Sequence, residues 1–270
     1  MTVRHFSTTA LAALFWVACT AHGADAPMPL NKIGAVKLII AGVKENQLYF
    51  EKMFGMKEID HYSDAAYDEP IMGFEDGAHL ALLSPRQEPP LKKSAYPVAL
   101  IYTPDLSALV NRMQDANLSV RMLDAAQTGS LKIAIARDPS GNAIELVARA
   151  GKWAVGGSKL IVNDRQRAEE FYTKVFNATP RQRFKTSTYD EVLMSLGEGP
   201  FLALFQPLAE PALAKSKYPV VAIYSSEFEA VVRRLTDVGL GYRDVPSSRP
   251  GLKIIVATDP AGNAIEIIRK

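Results

Sequence analysis

Cysteine is almost missing from this sequence: Cys19 is the one copy in 270 residues. Disulfide frameworks, multi-thiolate metal sites and paired-thiol redox motifs are excluded with it. Histidine is scarce too, at four residues: His5, His22, His61 and His79. The formal net charge is only +2, a balance that points to neither nucleic acid nor a membrane surface as partner. No segment beyond the N-terminal region is apolar for long enough to span a bilayer. A phosphate-cradling glycine-rich loop, a G-x-S-x-G nucleophile elbow and an EF-hand loop are all absent.

The first 23 residues have the layout of an export signal. Arg4 and His5 precede an apolar run, Leu11–Ala18, that is too short to cross a membrane, and Ala21-His22-Gly23 supplies small residues for cleavage. The expected location is therefore periplasmic or secreted, with no membrane contact after cleavage. Cys19 keeps a lipoprotein reading open, although Trp16 stands where such signals usually carry leucine. Cleavage after Gly23 removes the one cysteine.

What the sequence does have is repetition. Ser94–Tyr102 reads SAYPVALIY and Ser216–Tyr224 reads SKYPVVAIY, 122 positions later. Leu131–Leu146 reads LKIAIARDPSGNAIEL and Leu252–Ile267 reads LKIIVATDPAGNAIEI, an offset of 121 with 11 of 16 positions identical. Tyr67-Asp68-Glu69 recurs as Tyr189-Asp190-Glu191. This period is that of a small domain rather than of a solenoid repeat.

Each half reads as strand, helix and three strands, with a second helix inserted before the last two. Val36–Ile40 is short, apolar and β-branched, as a buried strand is. Asn46, Tyr49, Phe50, Met53 and Phe54 follow at helical spacing up to Gly55; Ala168, Phe171, Tyr172, Val175 and Phe176 repeat the pattern up to Asn177. Strands are expected near 71–75, 79–83 and 98–102, and near 192–196, 201–205 and 220–224. Second helices carry Leu106, Leu109, Val110 and Met113, and Phe228, Val231, Val232 and Leu235. The DPSGN and DPAGN segments are hairpin turns, Pro fixing φ and Gly supplying a positive one. The repeated YDE reads as a turn in preference to a loop over a cleft.

A duplicated strand–helix–strands unit ending in DPxGNxIE resembles the vicinal oxygen chelate superfamily, which includes glyoxalase I, bleomycin-resistance proteins, fosfomycin-resistance enzymes and extradiol dioxygenases. The resemblance implies an α+β fold in which tandem βαβββ modules pair curved mixed sheets around a cleft. It places the first module at 33–149, a linker packed by Trp153 at 150–157, and the second module at 158–270. In metal-dependent members, ligands lie at the start of the first strand and on the last strand. The last-strand carboxylate is present twice, as Glu145 and Glu266. The first-strand position, usually His or Gln, falls at Ala35 and at Gly157 or Ser158. A further position that often holds His carries Val98 and Val220. Three protein ligands are the usual minimum for a catalytic divalent ion, so no cofactor is expected; were a metal bound, Glu145 and Glu266 would hold it.

Strand alternation adds Lys37 and Lys159 to the cleft face, with Tyr102 and Tyr224 on the face of Val98 and Val220, and Ile39 and Ile161 as walls. Two readings stand. Lys37 pairs with Glu145 and Lys159 with Glu266, filling the space a metal occupies in relatives. Alternatively, these six residues bind a small polar or anionic molecule, as a metal-free binding protein or as a lyase or isomerase with Glu145 or Glu266 as base. Lys132 and Lys253 repeat in the penultimate strands with no face assigned. One chain supplies both modules, so a monomer or a homodimer is expected.

Overall fold

The computed structural model describes residues 31–87, 93–124, 131–208, 215, 218–247 and 249–270. The expected export signal, Cys19 included, lies outside the described residues. The elements form four successive βαβββ units. The first is β1 (Asn31–Ile39), α1 (Val43–Phe54), β2 (Lys57–Ser63), β3 (Tyr67–Gly73) and β4 (His79–Pro85). The second is β5 (Ala99–Thr103), α2 (Leu106–Asp115), β6 (Val120–Met122), β7 (Ile133–Arg137) and β8 (Ala143–Ala148). The third is β9 (Ala154–Ile161), α3 (Arg165–Phe176), β10 (Thr179–Lys185), β11 (Tyr189–Ser195) and β12 (Phe201–Pro207). The fourth is β13 (Val221–Ser225), α4 (Phe228–Asp237), β14 (Tyr242–Val245), β15 (Ile254–Thr258) and β16 (Ala264–Arg269).

Sheet order decides where a site can form. One eight-stranded sheet runs β14-β15-β16-β13-β1-β4-β3-β2, joining the first unit to the fourth; the other runs β10-β11-β12-β9-β5-β8-β7-β6, joining the second to the third. The joints are antiparallel, β1 with β13 and β5 with β9. The cores divide differently. Val36, Leu38, Phe50, Met72, Leu80, Leu109, Met113, Ile144 and Leu146 form one cluster, drawn from the first two units. Leu160, Tyr172, Phe176, Met194, Leu204, Val231, Leu235, Ile265 and Ile267 form its counterpart. Each repeat therefore buries its own core, while each concave sheet face is completed only by both repeats.

The local signals act as expected at the helix ends. Gly55 (φ 70°) and Asn177 (φ 56°) close α1 and α3 in the left-handed conformation. In the turns, Asp138 and Asp259 accept from the backbone N–H of Asn142 and Asn263. The amide groups of Asn142 and Asn263 then donate to the carbonyls of Ile39 and Ile161, which ties each turn to its repeat's first strand. Trp153 packs against Phe54 and Phe74.

Three expectations need correction. Each half has eight strands rather than six: β2 and β10, which are largely exposed, and the short β6 and β14 are additional. Residues 154–157 belong to β9, so the connection between repeats is shorter than 150–157. Tyr67-Asp68-Glu69 and Tyr189-Asp190-Glu191 are no turns but open strands β3 and β11.

Candidate functional site

Lys37 lies on β1, at the centre of the first sheet, and its side chain is 4 % exposed. Its ammonium sits 2.8 Å from Glu69 Oε1 on β3 and 2.9 Å from Glu266 Oε2 on β16. These partners are each two strands away, one on either side. The strands between carry alanines: Ala81 of β4 is the register partner of Lys37, and Ala222 of β13 is the partner of Glu266. Small side chains there clear the way for the lysine to reach both carboxylates across the concave face.

The second sheet repeats this arrangement. Lys159 of β9 stands 3.2 Å from Glu145 Oε2 of β8 and 2.9 Å from Glu191 Oε1 of β11. The lysines and glutamates thus do pair, but with exchanged partners. Lys37 meets Glu266 rather than Glu145, and Lys159 meets Glu145 rather than Glu266, because each sheet joins units from opposite repeats. Glu69 and Glu191 are site residues that the sequence reading missed. The available signal was their place in a repeated Tyr-x-Glu alternation, which puts Tyr67, Glu69 and Ile71 on one strand face.

Each triad contains one ammonium and two carboxylates, an excess of one negative charge. Burial alone would lower the pKa of both ammonium groups; the paired carboxylates outweigh it and hold Lys37 and Lys159 above the usual lysine value. Burial raises Glu69 and Glu145, opposed by the adjacent lysine and reinforced by the second carboxylate.

The two triads differ in their surroundings. Glu145 and Glu191 have no exposed side-chain surface. Leu100, Leu123, Ile133, Ile135 and Leu193 pack on that concave face with Phe184 and Phe201, and Tyr189, Phe205 and Ile161 pack beside them. Tyr102 lies in this packed layer, with the Arg149 guanidinium 4.1 Å from its ring centre. In the first sheet the same registers hold smaller or more polar residues: Ala222 for Leu100, His79 for Phe201 and Tyr62 for Phe184. The result is a cavity of about 340 Å³. Ala35, Ala81 and Ala222 lie on its sheet side, Ile71, Ile254 and Ile268 add apolar walls, and Lys37, Glu69, Glu266, Tyr62, Tyr67, Tyr224 and His79 supply polar groups. A second cavity, of about 380 Å³, adjoins the same triad and is lined by Tyr218, Arg243 and Val245.

Of the six residues picked from the sequence, Lys37, Tyr224 and Glu266 meet at the cavity, and Lys159, Tyr102 and Glu145 meet in the packed sheet. Glu266 retains 13 % side-chain exposure, against none for Glu145. Lys253 faces away, 3.7 Å from Glu229 of α4. His79, to which no role was assigned from sequence, has a buried Nδ1 without a hydrogen-bond partner. Burial, then the positive charge of Lys32, lowers its pKa, so the imidazole is neutral at pH 7. Burial also raises the Tyr224 phenol, and raises that of Tyr62 to about 12, so both keep their protons as hydrogen-bond donors.

The donor set does not fit a divalent ion of the kind the resemblance raised. The lysine ammonium already occupies the point between the two carboxylates that a metal would need. Among the described residues, no three His, Cys, Asp or Glu side chains are grouped to hold a metal.

Four βαβββ units paired into two curved sheets define the class of protein. The family model of the Glyoxalase/Bleomycin resistance protein/Dioxygenase superfamily matches residues 32–146 and 154–267, and the chain belongs to that superfamily. Among solved structures it is similar to glyoxalase I from Zea mays, with a TM-score of 0.75, 20 % identity and coverage of 88 % of this chain and 92 % of the other. A mutant of that Zea mays protein gives 0.74 and 18 %, covering 89 % and 94 %. A candidate dioxygenase from Bacillus subtilis gives 0.66 and 14 %, covering 90 % and 86 %. At these identities the likeness concerns the fold. No curated protein matches the chain.

Proposed function

We propose that this chain binds one small polar or anionic molecule in the cavity of the β1–β4/β13–β16 sheet, without a catalytic metal. The observation that carries this reading is the difference between the two triads: the same Lys–Glu–Glu constellation is packed over in one sheet and faces a cavity in the other. A cavity of about 340 Å³ with an apolar alanine and isoleucine surface and convergent polar and charged groups suits a small polar ligand. The ligand's apolar body lies over Ala35, Ala81 and Ala222. Its polar end meets the Lys270 ammonium and the phenols of Tyr67 and Tyr224, since Lys37 is already engaged by its two carboxylates. The chain is exported to the periplasm or beyond, which N-terminal sequencing of the mature protein tests: Ala24 is the expected first residue.

The test is a thermal-shift and calorimetric screen of dialysed protein against small hydroxy, oxo and aromatic carboxylic acids, repeated on Ala222→Leu. That substitution copies Leu100 of the packed sheet into the cavity. A compound that binds the wild-type chain and is lost by Ala222→Leu is the expected result. Equal binding by both proteins would place the ligand elsewhere and end this reading.

A second reading, a lyase or isomerase, draws on the position of Glu266, whose partly exposed carboxylate is available to take a proton from a bound oxygenated substrate. Glu266→Gln separates the two: it retains ligand in both cases and abolishes turnover only if the chain is an enzyme.

A further inference from the structure

The cavity is bounded by strands from the two opposite edges of its sheet. Ile59, Asp60 and Tyr62 come from β2, the outermost strand on one side; Ile254 opens β15 and Leu252 just precedes it, next to the outermost strand on the other. One side chain joins them. Arg249, in the turn that precedes β15, places Nη2 2.5 Å from Asp60 Oδ1 and Nη1 2.8 Å from Asp60 Oδ2. Nη1 also donates to the Tyr62 hydroxyl at 2.8 Å, and the guanidinium carbon lies 4.3 Å from the Tyr62 ring centre. The contact spans 189 residues of sequence and ties the end of the second repeat to the beginning of the first.

We propose that the Arg249–Asp60–Tyr62 contact is a latch that controls entry to the cavity. Three features support a latch rather than a permanent staple. Its partners are exposed, with Arg249 48 % and Asp60 35 % accessible, so solvent competes for both and the bond opens readily. Its β2 half sits on the cavity wall, because Asp60 and Tyr62 both line that space. Its β2 half is missing from the packed sheet, where Gln182 and Phe184 replace Asp60 and Tyr62. An apolar-filled face has no ligand to admit and carries no such ion pair there.

Opening requires no change in the fold. Breaking the contact lets β2, paired on one side only, and the turn before β15 move apart. The rest of the sheet keeps its register. The Asp60 carboxyl is held below its ordinary range by the Arg249 hydrogen bonds, so the pair stays charged through neutral pH. Its weakness lies in salt, which screens exposed pairs.

The inference rests on the preceding section only in taking this cavity as the binding site; its test needs no ligand. With Cys19 replaced by Ser, the chain offers no thiol, so a cysteine introduced on the cavity's sheet side reports access. The probe is the iodoacetamide reaction rate of Ala81→Cys, read by mass spectrometry. Ala203→Cys, the register-equivalent position in the packed sheet, is the control. Asp60→Asn and Arg249→Gln are each expected to raise the Ala81→Cys rate by about three- to tenfold, the range an exposed bidentate pair with cation–π support sustains. The Ala203→Cys rate stays unchanged. High salt is expected to speed labelling of the intact latch and to leave the two latch variants as they are. Unchanged labelling in both variants would overturn the proposal. So would an equal rise at Ala203→Cys, since that reports general loosening of the fold.

Discussion

Replacing Lys159 by methionine tests whether the packed triad is held together by its charge arithmetic. The substitution keeps an unbranched apolar stem of similar length and removes the ammonium, with its 5.2 Å approach to the Phe205 ring centre. Two carboxylates with no exposed surface then face each other without a cation. Removing one partner of a buried ion pair costs about 3–5 kcal/mol. For a chain of this size that lowers Tm by roughly 6–20 °C. Lys37→Met removes the same charge from the open triad, where Glu266 keeps contact with the cavity, so its expected cost is smaller, about 1–3 kcal/mol. The pH dependence gives a second signature. Stranded buried carboxylates have folded pKa values above the unfolded value of about 4.3. Their stabilising contribution is complete below that value and is lost as pH rises through the folded one. The deficit of Lys159→Met should therefore be larger at pH 8 than at pH 5. The wild-type ammonium has a raised pKa, so its own contribution is constant over that window. Calorimetric melts of the wild type and both variants at pH 5 and pH 8 decide the matter. A Lys159→Met protein within 1 kcal/mol of wild type, or a Lys37→Met protein that melts lower, would refute the reasoning.

Two further outcomes follow from the same geometry. Adding Mn²⁺, Ni²⁺, Zn²⁺ or Fe²⁺ should leave the melting temperature unchanged, because Lys37 occupies the central position; a native-state metal at a hundredfold excess over its Kd would add about 2.7 kcal/mol and be plain in the melt. Gly156→Ala should destabilise the packed sheet by about 1–3 kcal/mol, since its Cβ would fall 2.2 Å from Leu100 Cδ2 and 2.6 Å from the Tyr102 ring; an unaltered Tm would mean that the layer over the triad is looser than the packing indicates.

Much of this architecture was legible from two kinds of signal. Repetition exposed the duplication, and apolar periodicity with Gly55 and Asn177 as stops placed α1 and α3. Both fail for β2 and β10. Lys57–Ser63 and Thr179–Lys185 bury almost nothing, so they carry no apolar alternation to read. Glu69 and Glu191 were hidden by a polar strand opening that resembles turn chemistry. The exchanged Lys–Glu partners were beyond reach for another reason. Repetition says that two halves are alike, but it does not say which unit of one half extends the sheet of the other. His79 lies away from the ligand positions that the resemblance implies, and only the paired sheets show that it stands where the other face has Phe201.

The exchange of units bears on how the two faces diverged. Because each concave face draws on both repeats, the difference between the two faces is spread over two distant segments of sequence. The packed face uses Leu100, Ile133 and Ile135 from one repeat with Phe184, Leu193 and Phe201 from the other. The open face uses Ala35, Ile71 and Ala81 with Ala222 and Ile268. The Lys–Glu–Glu triad survives on both. It is therefore not by itself a mark of ligand binding: where apolar side chains cover it, it is a buried cross-link between three strands. On the proposed reading, function resides in what surrounds the triad. The decisive positions are the small ones, Ala222 above all, together with His79, Tyr62 and Asp60, which leave space and polar edges where the other sheet has hydrocarbon.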